Sequence, residues 1–112
     1  LWDPNTGEID PEVARWMIDR YDITYYLQQN WSTVGPKLLG KLHFFTGHSD
    51  NWYIEQAIYP LEAFFETTES PAYRPEFQYG VRAGHCWSPW EDENDVGGLY
   101  RAIYDSLKPQ SE

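Results

Sequence analysis

Residues 41–51 read KLHFFTGHSDN, and how this stretch is read decides the fold. Leu42 to Phe45 is a short apolar run rich in β-formers, and Thr46-Gly47 closes it. That length and composition predict a buried strand and not a helix. The polar loop HSDN follows. Beyond it Ile54, Ala57, Ile58, Leu61, Phe64 and Phe65 recur at helical spacing, with Pro60 inside the pattern, where it should kink the helix or shift one end. The turn SPAYRP then leads into a second strand candidate, Phe77 to Val81. Strand, helix and strand in that order predict a right-handed parallel βαβ unit. In such sheets the functional loops lie at the carboxyl ends of the strands. Asp50 and His85 each fall a few residues beyond a strand, 35 residues apart.

Outward from this unit the chain reads as helical. Residues 1–10 are turn-rich. Asp10-Pro11 then supplies an N-cap acid and a proline at the first helical position. Val13, Trp16, Met17 and Tyr21 form one apolar face, and Asp22 restarts the helix. Ile23, Tyr26, Leu27 and Trp31 continue the period, and Gly35-Pro36 is the expected stop. A last helix carries Leu99, Tyr100, Ile103 and Leu107 and should end near Pro109. The expected organisation is one structural unit: a helical segment over 1–40, then a β-α-β-α unit over 41–112.

Bulk properties narrow the function. The formal charge of −10 over 112 residues argues against nucleic acid, whose phosphates need a basic surface. It also disfavours an anionic membrane surface. No apolar run approaches the roughly 20 residues that span a bilayer. Cys86 is the single cysteine, which leaves no internal disulfide and no cysteine-only zinc site. Aromatics at 18% speak for a packed core and against a disordered acidic tail. No targeting segment is visible, and the compartment stays open.

An acid on one strand-end loop and a histidine on the next form the orienting half of a nucleophilic triad. A neutral imidazole can take a proton from a nucleophile, and a buried carboxylate fixes its tautomer and stabilises the imidazolium. The same two loops permit blander readings, with Asp50 capping the next helix and His85 in a polar loop. A metal site built from His48, Asp50, His85 and Cys86 is a rival chemistry, but HxxH, HxxxH and CxxC pairs are all missing from the chain. His43 reads as a core or face histidine. Cys86 reads as a small buried apolar group. Trp16, Tyr25, Tyr26, Trp52 and Trp87 are candidate pocket walls, each of which could equally be core.

LHFFTGHSDNWYIEQA and FQYGVRAGHCWSPW resemble the C-terminal end of the putative-esterase family of α/β-hydrolases, which includes enterochelin esterase, esterase D and feruloyl esterases. In that family a strand ending in glycine delivers the triad acid, and a glycine-rich turn after the last strand delivers the histidine. The resemblance implies Asp50 as the acid and His85 as the histidine. Trp87 and Trp90 match aromatic positions after that histidine. Ala83-Gly84 stands where a double glycine is common. Residues 1–31 resemble the helical segment that precedes the acid strand in larger members.

A family member also needs a GxSxG elbow, and Ser32, Ser49, Ser70, Ser88, Ser106 and Ser111 all lack it. The expectation is therefore the C-terminal part of an α/β-hydrolase fold, from a serine carboxylesterase whose nucleophile lies upstream. Its substrate would be a small-molecule ester, with Trp52 and Trp87 at the binding site. No cofactor and no metal are implied. The sheet edge would be met by the N-terminal part of the same enzyme or by a second copy. The competing expectation is a non-catalytic acidic α/β interaction module.

Overall fold

The computed structural model describes residues 1–90 and 97–108. Pro109 and Ser111, named above, lie outside the described residues. The elements run α1 (Pro11–Tyr21), α2 (Ile23–Leu38), β1 (His43–Gly47), α3 (Glu55–Glu66), β2 (Glu76–Gly80) and α4 (Gly98–Leu107). The class is α/β, with a two-stranded parallel sheet. Tertiary contacts group into two compact units: Leu1–Leu42 with Pro60–Pro75, and His43–Tyr59 with Glu76–Glu112.

In the first unit, residues 1–10 form a turn closed by an antiparallel bridge between Trp2 and Ile9. The Asp3 carboxylate accepts the Asn5 and Thr6 N–H groups within it. Asp10 caps α1, accepting from Glu12 N at 2.9 Å and Val13 N at 3.1 Å, and Pro11 follows at the first helical position. Asp22 takes extended backbone, ends α1 and caps α2 through Tyr25 N at 2.9 Å. A capping carboxylate satisfies amide donors that a helix start leaves without partners. Each break falls at an acid the sequence supplies for it.

The expected stop at Gly35-Pro36 is corrected: α2 runs on to Leu38, and Pro36 lies inside it. A proline two residues from a helix end forfeits little, because few hydrogen bonds remain beyond it. Gly35 is there for a different reason. A Cβ at that position would lie 2.7 Å from the Trp31 ring. Trp31 in turn meets Phe64 and Phe65 edge-on, both at 5.5 Å between centroids, and donates Nε1–H to Pro71 O at 2.9 Å. Phe65, Leu61 and Leu27 are the buried apolar core of this unit. The C-terminus of α3 is closed by Arg74, whose guanidinium donates to Phe65 O at 2.5 Å and Glu66 O at 2.7 Å. Pro60 does not end α3, which continues through it.

In the second unit β1 and β2 pair in parallel, from His43 opposite Glu76 to Gly47 opposite Gly80. Both strands are shifted relative to expectation. β1 starts one residue later than Leu42 and continues through Thr46-Gly47, and β2 runs from Glu76 and ends before Val81. The pairing therefore reaches the two glycines, while Val81 is exposed. Phe44 and Phe77 sit directly opposite and stack at 4.7 Å, a cross-strand pair that pins the register. Phe45 meets Trp90 edge-on at 4.8 Å. Among the described residues no helix is long and apolar enough to cross a membrane.

Candidate active site

Beyond the last strand pair the two loops remain stitched together. His48 N donates to Gly80 O at 3.0 Å and Ser49 N donates to Ala83 O at 2.9 Å. Gly47 permits this approach. A Cβ there would lie 2.2 Å from Ala83 O and 2.3 Å from Gly84 O, so only glycine lets the backbone of one loop lie on the other. The close approach carries Asp50 to His85 across 35 residues of sequence.

His85 Nδ1 and Asp50 Oδ2 are 2.9 Å apart. Asp50 Oδ1 accepts the Trp52 N–H at 2.7 Å, and the Asp50 carbonyl accepts the Tyr53 N–H at 3.1 Å. The Asp50 side chain is 3% exposed and that of His85 44%. Burial pushes the Asp50 carboxyl up. Its hydrogen bond and charge interaction with His85 and the backbone amides of Trp52 and Ile54 together outweigh it, so the group sits below its ordinary value of 3.8. Asp50 is thus a carboxylate at neutral pH and can only accept. The proton between the pair belongs to His85 Nδ1, which makes Nε2 the acceptor nitrogen of the neutral ring. A buried carboxylate that fixes an exposed imidazole in the tautomer whose lone pair is on Nε2 is the arrangement a general base requires.

Backbone conformation is unusual at these loops. Tyr53, Arg82 and Cys86 have positive φ of 59°, 58° and 61°, a left-handed conformation costing about 1–2 kcal/mol in an L-residue. One follows Asp50 by three residues, and the other two bracket His85. Such outliers concentrate where geometry is held for function.

The remaining sequence candidates are placed as follows. Trp52 is 69% exposed, in the turn between Asp50 and α3. Trp87 is half-buried, with its ring against Gly80, and it lines a cavity of about 420 Å³ with Phe44, Phe45, Ile58 and Ser88. Trp16, Tyr25 and Tyr26 belong to the first unit, where the Arg15 guanidinium lies over the Tyr25 ring at 5.3 Å. The expectation for Cys86 is corrected: its side chain is exposed, because the left-handed turn at this residue keeps it out of the core. His48 pairs with Tyr59 OH at 2.8 Å and stacks on Tyr79 at 4.9 Å. His43 pairs with Glu76 at 2.8 Å on the strand face. Among the described residues no group of three or more His, Cys, Asp or Glu could hold a metal ion.

Sequence reasoning missed the His48–Tyr59 and His43–Glu76 pairs and the contacts at Gly47 and Gly80. The only signal was a glycine closing each strand. Comparison with family models, with curated proteins and with solved structures finds no match for this chain.

Proposed function

We propose that Asp50 and His85 are the acid and the general base of a serine carboxylesterase of the α/β-hydrolase type, and that the nucleophilic serine is supplied by polypeptide upstream of Leu1. The observation that carries this reading is the buried Asp50 carboxylate on His85 Nδ1 at 2.9 Å. The parallel βαβ setting and the resemblance of the two loop sequences to the putative-esterase family support it.

In this reading the serine hydroxyl attacks the ester carbonyl while His85 Nε2 takes its proton. Asp50 stabilises the imidazolium that forms, and His85 then protonates the leaving alcohol. An acyl-enzyme remains, and His85 activates the water that releases the acid. Trp87 offers one wall of an apolar cavity for the substrate, and Trp52 an exposed ring near the acid. The partner of this chain is the N-terminal part of the same enzyme, which brings the serine elbow and the oxyanion hole.

Two outcomes test the proposal. The 112-residue chain alone should hydrolyse p-nitrophenyl esters no faster than free imidazole. The longer protein should be phosphonylated by a fluorophosphonate probe at one serine outside residues 1–112, within a GxSxG sequence. A longer protein that hydrolyses esters without a phosphonylated serine contradicts the reading.

A further inference from the structure

The loop that carries His85 returns on itself. β2 ends at Gly80, the chain turns at left-handed Arg82, and a second left-handed residue, Cys86, separates His85 from Trp87. The reversal at Cys86 brings the Trp87 indole down on Gly80. A Cβ at position 80 would lie 2.4 Å from Trp87 Cδ2 and 2.6 Å from the Ala83 methyl. Gly80 is buried, and its carbonyl accepts both the Ala83 N–H at 3.1 Å and the His48 N–H at 3.0 Å. The ring of Trp87 therefore rests on the residue at which the two loops are joined. His85 lies two positions away, and its ring pairs with the Asp50 carboxylate.

We infer that Trp87 is a positioning residue for His85: its ring, seated on Gly80, closes the 81–87 loop and holds the imidazole within hydrogen-bond distance of Asp50. The inference rests on the reading of Asp50 and His85 as an acid–base pair, and it goes beyond treating Trp87 as a pocket wall. Loop closure limits the directions the imidazole samples, and placement errors of about 1 Å are costly for a base. Gly80 is required because no other residue leaves room for the ring.

The test is a spectroscopic signature of the pair in the full 112-residue chain. Nitrogen–proton correlation spectra of the histidine rings should show His85 as the Nδ1–H form, with a proton shifted downfield by Asp50. Asp50→Asn should remove that downfield shift, which assigns the signal to the pair. Trp87→Ala should lose it as well, and Gly80→Ala should do the same by displacing the ring. Trp87→Phe, which keeps a flat ring for Gly80, should restore it. Trp90→Ala removes an aromatic three residues beyond Trp87 that packs on Phe45, and it should leave the signal in place. This control separates positioning from general loss of packing. A wild-type chain with no Asp50-dependent Nδ1–H signal overturns both the pair and the inference. A signal that survives unchanged in a folded Trp87→Ala or Gly80→Ala chain overturns the inference and leaves the pair standing. If those variants do not fold, a Trp87→Phe chain that folds but lacks the signal overturns the inference too.

Discussion

At the residue scale the pair Asp50–His85 is governed by one balance. Burial disfavours the carboxylate, and its interactions with His85 and with the Trp52 and Ile54 backbone amides together favour it by more. A carboxyl whose value is lower in the folded chain than in the unfolded one stabilises the fold above the unfolded value, and that contribution fades as pH falls through the folded value. Asp50→Asn should therefore be less stable than wild type at neutral pH, and the gap should narrow once the pH drops below 3.8. Urea midpoints measured at pH 7 and at successively lower pH check this, and a gap that stays constant contradicts it. Cys86 supplies a second residue-scale expectation. At φ 61°, Cys86→Gly should gain about 0.5–1 kcal/mol and Cys86→Val should lose about 1–2 kcal/mol. Equal midpoints for the two variants would show that the left-handed turn is not held. The juxtaposition of Asp50 and His85 was legible in the sequence because each falls a few residues beyond one strand of a parallel pair. The exposure of Cys86 was not, because residue type alone does not reveal a positive φ.

At the element scale the sequence was read best where the signal is local. Asp10-Pro11 and Asp22 place two helix starts because capping depends on adjacent backbone amides. The end of α2 was misread because Gly35 answers to Trp31, and Trp31 answers to Phe64, Phe65 and Pro71, more than 30 residues further along the chain. This difference has a test in which two principles predict opposite signs. Helix propensity alone would make Gly35→Ala stabilising by about 1 kcal/mol. The Trp31 ring, held by its hydrogen bond and two edge contacts, leaves no room for the methyl, so the substitution should instead cost about 1–3 kcal/mol. Thermal or urea unfolding gives the sign directly, and a stabilised Gly35→Ala chain would show that the ring is free to move aside. The strand boundaries were shifted for a related reason. Pairing extends to Gly47 and Gly80 because the loops beyond them touch, which apolar runs do not disclose.

At the scale of the whole molecule, the sheet among the described residues has only two strands, and two strands alone are marginal in water. A chain of this kind should gain stability from further polypeptide on the sheet, so the 112-residue chain should unfold at lower urea than the same residues within a longer parent. Equal midpoints would contradict that expectation. The central claim is that His85 is the base of an esterase. Its most direct measurement is the turnover of an ester substrate, with and without the imidazole, by the longer protein proposed above. His85→Ala should lower kcat by on the order of 10⁴-fold or more, the scale seen when one member of a nucleophilic triad is removed. A protein that keeps near-normal turnover with His85→Ala would contradict the account.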